Sequence, residues 1–150
     1  MASETKEDTG PVVVGIDGSD ASMVALRHAA RESRWRGVEL HVVHALDVTP
    51  AVLHLAKDQT INTREVAESD RDEIWKRATP ILDDSGGEVV KVNLDGKPGP
   101  SLASYSHDVA ASVLVVAPRG RGRVVDALLG STAQRVVKDA TCDVLVVKSP

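Results

Sequence analysis

Apolar residues along this chain fall into two kinds of run. Val12-Val13-Val14-Gly15-Ile16, Val113-Leu114-Val115-Val116 and Val144-Leu145-Val146-Val147 are short and continuous, with no polar side. Such runs fit strands buried on both faces, as in a parallel sheet covered by helices. Between them lie longer stretches whose apolar residues recur three and four apart, the spacing of an amphipathic helix. The first run is bounded by Pro11 and by Asp17-Gly18-Ser19. Ser19 or Asp20 can cap a helix from there to about Arg36. Ala21, Ala25, Leu26, Ala29 and Ala30 give that helix a small-residue face, and Gly37 ends it.

Val38 to Leu46 reads as a second strand. Residues 47–62 show no period and contain Pro50, which predicts a loop with at most one helical turn. A charged helix follows from Asn62 to Ser85, with Ala67, Ile74, Ala78 and Ile81 on one side and a kink expected at Pro80. Gly86-Gly87 stops it. Glu88 to Leu94 is a third strand, more polar and therefore expected near a sheet edge. Pro98-Gly99-Pro100 opens a short helix to Val109, Val113–Val116 is the fourth strand, and a helix between Gly130 and Ala140 precedes the fifth, Val144–Val147. Strands that alternate with helices pair in parallel through right-handed crossovers. The expected fold is α/β: a single open, mostly parallel five-stranded sheet with helices on both faces, Rossmann-like. Residues 1–10 read as a disordered tail and residues 11–150 as one domain.

Composition narrows the function classes. The 150 residues are 42% hydrophobic but only 2% aromatic, with no Phe. The core must then be built from Val, Leu, Ile and Ala, and a base-stacking surface for single-stranded nucleic acid is disfavoured. A net charge of −4 supplies no global attraction to nucleic acid or to an anionic membrane. The lone Cys142 cannot form an internal disulfide, and it reads as a small packing residue in a reducing compartment. No apolar run reaches membrane-spanning length, and the acidic start lacks the apolar stretch of a signal peptide. The expected location is the cytoplasm.

The most informative chemistry lies after the fourth strand. Gly120 and Gly122 let a loop backbone approach a ligand, and ten residues after Gly120 the run Gly130-Ser131-Thr132 opens a helix. A helix start offers unpaired N–H groups and a partial positive charge, which suit phosphate. Arg119, Arg121, Arg123, Arg135 and Lys138 face only Asp126 over this region. A solvated basic loop with an ordinary capped helix would look the same. Other signals carry less. His41 and His44 are three apart on a strand and so point to opposite faces, which excludes a shared metal. His28, His54 and His107 lie in unrelated surroundings, so no metal site is expected. Gly96-Lys97 is followed by Pro98 rather than Ser or Thr, so no P-loop is present. Gly120-x-Gly122-x-x-Val125 is an incomplete dinucleotide fingerprint.

Taken together, these segments resemble the universal stress protein family. Its ATP-binding members carry a glycine, two residues, a glycine, nine residues, then glycine and Ser or Thr. This chain has Ala117-x2-Gly120-x9-Gly130-Ser131 in the corresponding place. Val14-Gly15-Ile16-Asp17-Gly18-Ser19, Leu40-His41-Val42-Val43-His44-Ala45, Leu128-Leu129-Gly130-Ser131-Thr132 and Cys142-Asp143-Val144-Leu145-Val146-Val147 match in order, over about residues 11–148. The resemblance implies that Asp17 faces the ribose or adenine edge with Gly15 and Ile16 beside it. It also implies that Ala45 lines the adenine pocket and that Val116 and Ala117 flank the sugar. Gly120, Gly130, Ser131, Thr132 and Ala133 would hold the phosphates.

One departure is Ala117, which stands at the first glycine and is followed by Pro118, a residue with no N–H. If the position needs positive φ, alanine there costs ~1 kcal/mol; if it needs only close approach, the methyl is tolerated. The function implied is a stress-response regulator that holds ATP, with or without Mg2+, and hydrolyses it slowly at most. It would act as a homodimer through Val144–Val147. A nucleotide-free dimeric module that recruits a partner is the alternative, and a slow phosphotransfer enzyme using Asp17 or Ser131 is the third.

Overall fold

The computed structural model describes residues 8–47, 63–119 and 129–150. Five strands, β1 (Val12–Gly15), β2 (Leu40–Leu46), β3 (Val89–Asp95), β4 (Val113–Val116) and β5 (Asp143–Val146), form one sheet in the order β3-β2-β1-β4-β5. Every neighbouring pair is parallel. Among the described residues four helices connect them: α1 (Asp20–Arg36), α2 (Thr63–Asp83), α3 (Pro98–Asp108) and α4 (Ser131–Asp139). The α/β architecture read from the pattern is therefore present, with two of the described helices on each face.

The continuous valine runs behave as central strands should. Val12, Val13 and Val14 are all buried, but alternate residues serve different layers. Val12 and Val14 pack with Ala25, Leu26 and Ala29 of α1 and with Ile74, Ala78 and Leu82 of α2. Val13 packs with Leu102 of α3 and with Ala133 and Val136 of α4. The period of two along a strand thus divides the core into two aliphatic halves. The two histidines of β2 follow the same rule. His41 Nδ1 meets Tyr105 Oη of α3 at 2.8 Å, whereas His44 Nδ1 accepts from Arg71 Nε of α2 at 3.3 Å. β3, expected near an edge, is one: Lys91, Asn93 and Asp95 are exposed along it.

The helix ends are chemically specified. Ser19 caps α1 by accepting the Ser22 N–H at 3.1 Å. At the other end Gly37 takes φ 66°, donating to Arg34 O while Val38 donates to Ser33 O, the usual left-handed termination. α2 runs through Pro80 to Asp83. Within the segment read as a tail, Asp8 is described, and its carboxylate accepts from Arg36 Nη1 at 2.8 Å.

Candidate functional site

The chain leaves β1 toward β2 on one side, while β4 returns to the other side of β1. The carboxyl ends of β1 and β4 therefore diverge into a crevice, the place where open parallel sheets take ligands. A cleft with about 490 Å³ of space lies there, open to solvent. Gly15, Ile16 and Asp17 enter it from β1, Ala45 from β2, Val116 and Ala117 from β4, and Thr132 from α4. Each of these was expected at the site from the sequence. Ser22, Val43, Pro98, Leu102 and Arg119 complete the lining. Val43 was detectable, since it lies two residues before Ala45 and so on the same face. Pro98 and Leu102 carry no local signal, because only the packing of α3 over the sheet brings them in.

The inner wall is aliphatic, and the mouth is polar. Asp17 Oδ1 accepts two hydrogen bonds from Ser19, from its N–H at 2.9 Å and its hydroxyl at 2.5 Å. The Asp17 N–H in turn donates to Ser22 Oγ at 3.3 Å, and that hydroxyl donates to Ser19 O at 2.9 Å. Asp17 thus shapes the turn into α1 and borders the cleft at once. Its Oδ2 makes no hydrogen bond among the described residues. Gly15 has a packing reason to be glycine: a Cβ there would lie 2.6 Å from Leu102 Cδ1.

Among the described residues, Gly130, Ser131 and Ala133 were also expected at the site and stand apart from the lining. Gly130 is the N-cap of α4, and its N–H is already given to Pro118 O at 2.6 Å. The first-turn N–H groups of Ser131, Thr132 and Ala133 have no intrahelical partner and form the positive end of α4. Ser131 is exposed, and the Ala133 methyl is buried in the core, so Ala133 can offer only its backbone. Gly120, Gly122, Arg121, Arg123 and Asp126 lie outside the described residues. Arg135 of the basic region is paired with Asp139 on its own helix. Among the described residues no three His, Cys, Asp or Glu side chains gather to hold a metal ion. Cys142 is half-buried, and burial pushes its thiol up, the opposite of an activated thiolate.

Comparison with known proteins settles the family. The model of the universal stress protein family matches residues 9–148. This chain belongs to the universal stress protein family. It is 30% identical over 139 residues to a universal stress protein of Methanocaldococcus jannaschii, covering 93% of this chain and 82% of that one. It is 32% identical over 141 residues to one of Mycobacterium tuberculosis, covering 92% of this chain but 48% of the relative, so it spans about half that protein's length. Among solved structures, a universal stress protein of Archaeoglobus fulgidus in complex with dAMP is similar at a TM-score of 0.70 and 26% identity, covering 94% and 99% of the two chains. A universal stress protein in complex with cAMP is similar at a TM-score of 0.65 and 25% identity, covering 93% and 97%.

Within the stress protein pattern, the departure at Ala117 is sterically mild. Among the described residues the one non-glycine with positive φ is Ala110, at 51°. Ala117 therefore sits in ordinary backbone space, and its methyl packs against the α1 side of the core while bordering the cleft. No strain attaches to the missing glycine.

Proposed function

We propose that this universal stress protein binds an adenine nucleotide, ATP, in the β1–β4 cleft and acts as a regulator rather than as an enzyme. One observation carries the reading: seven residues expected from four separate segments line a single cleft at the sheet's switch point. The dAMP and cAMP complexes of the two similar proteins support an adenine nucleotide as the ligand class. The base would lie against Val43, Ala45 and Leu102, where an aliphatic wall favours a flat apolar ring. Asp17 Oδ2 would accept a ribose hydroxyl. The Thr132 hydroxyl and the first-turn N–H groups of α4 would receive phosphate. Asp17 is the carboxylate of the lining and is committed through Oδ1 to Ser19, so Mg2+ would arrive held mainly by the phosphates themselves.

Two further features belong to this reading. β5 is a sheet edge whose Val144, Leu145 and Val146 are only half-buried, guarded by exposed Asp143 and Lys148. An apolar edge of this kind invites pairing with a second copy. The cytoplasm is the proposed location; no helix among the described residues is long and apolar enough to cross a membrane. The deciding experiment is mass spectrometry of protein purified without added nucleotide, joined to calorimetry with ATP, ADP, AMP and cAMP. Co-purified or micromolar adenine nucleotide is expected. No heat with any of the four at millimolar ligand would leave the nucleotide-free partner module in its place.

A further inference from the structure

α2 is anchored to the core by Ile74, Ala78 and Leu82, all buried against α1 and the sheet. That anchoring fixes the start of the Arg77 side chain, which crosses to the loop between β1 and α1. Arg77 Nη1 donates to Gly18 O at 2.6 Å, and Nη2 bonds the Asp20 carboxylate. The two acceptors flank Ser19, whose N–H and hydroxyl hold Asp17 Oδ1. Gly18 adopts φ 83°, a backbone state open chiefly to glycine, and its carbonyl accepts a charge-assisted hydrogen bond from Arg77. Arg77 also holds the Asp20 carboxyl below the usual carboxylate range, in the first helical turn where negative charge is already favoured.

As a surface ion pair this contact would stabilise little, because the Arg77 and Asp20 side chains are 46% and 90% exposed. Its weight is geometric. A forked side chain from one element holds both a carbonyl of the loop that presents Asp17 to the cleft and the carboxylate of the first α1 residue. We infer that Arg77 is a positioning residue of this cleft, bracing the Asp17–Ser22 turn against α2 so that Asp17 stays aimed at a nucleotide's ribose. The ligand in this statement rests on the nucleotide reading above; the brace itself does not.

The test uses the full chain as wild type, Arg77→Ala, Arg77→Lys and Lys76→Ala, the last removing an exposed neighbour on the same helix. Hydrogen exchange is followed without nucleotide at the Asp17, Ser19 and Ser22 amides, and ATP affinity is measured by calorimetry. In Arg77→Ala these amides should exchange three- to tenfold faster and ATP should bind about three- to tenfold more weakly. Arg77→Lys should recover part of both, since an ammonium reaches one acceptor but lacks the fork, and Lys76→Ala should change neither. Unchanged loop exchange in Arg77→Ala overturns the brace, whether or not ATP binds. Acceleration spread evenly over α2 and the sheet also overturns it, by reducing the effect to lost folding stability. Faster loop exchange in a protein whose wild type ignores ATP supports the brace and sinks the nucleotide reading alone.

Discussion

Gly15→Ala isolates one contact between the sheet and the cleft floor. The added Cβ would lie 2.6 Å from Leu102 Cδ1 and 3.1 Å from Cδ2, closer than packed carbons approach. Leu102 is 3% exposed and packed among Val13, Val116 and Ala133, so it cannot retreat into its own core half. It must either strain there or swing toward the cleft. Overpacking of this kind costs about 1–3 kcal/mol. For a chain of this length that is a fall of roughly 2–12 °C in melting temperature, using about 2–4 °C per kcal/mol. Urea titration supplies the free energy, and Leu102→Ala supplies the control by removing the opposing atoms. Leu102→Ala alone should destabilise by about 2–5 kcal/mol through the cavity it leaves. In that background Gly15→Ala should cost far less than in the wild type, giving a coupling of about 1 kcal/mol or more. Equal costs in the two backgrounds would show that Leu102 is not the reason for glycine at this position.

Three further outcomes are expected. Ala117→Gly should leave ATP affinity within about threefold, because the backbone there needs no positive φ; tenfold tighter binding by calorimetry would show that the methyl obstructs the ligand. Thr132→Val keeps the shape of the α4 start but removes its hydroxyl, and should weaken ATP about two- to tenfold; unchanged affinity would take Thr132 out of the phosphate contact. Steady-state assay with ATP and magnesium should give a rate orders of magnitude below the 1–10³ per second of typical enzymes, and multiple turnovers per second abolished by Asp17→Asn would make the protein an enzyme.

Much of this molecule was determined by the sequence alone, because the relevant physics is local. Unbroken valine runs predict strands covered on both sides, and Val12–Val14 are so covered. Ser19 and Gly37 mark the ends of α1 through hydrogen bonds made within a few residues. The odd spacing of His41 and His44 sends them to opposite layers whatever surrounds the strand. The more polar composition of the third strand pointed to an edge, where β3 lies. Strand ends shifted by a residue or two, as at Leu40 and Asp143, since pairing partners rather than composition set where a ladder begins.

Tertiary structure alone decided what depends on distant neighbours. The order β3-β2-β1-β4-β5 places the ends of β1 and β4 together, although about a hundred residues separate them in the chain. α3 contributes Pro98 and Leu102 to the cleft only because of how it lies across the sheet. That the Gly130 N–H donates to Pro118 O at 2.6 Å is likewise a contact that no local pattern announces. Whether Ala117 needs a positive φ was open in the pattern, and the fold shows that it does not adopt one. Local periodicity reports which face of an element is apolar; which donor is already spent, and which backbone angle is taken, follow from contacts that only the closed chain makes.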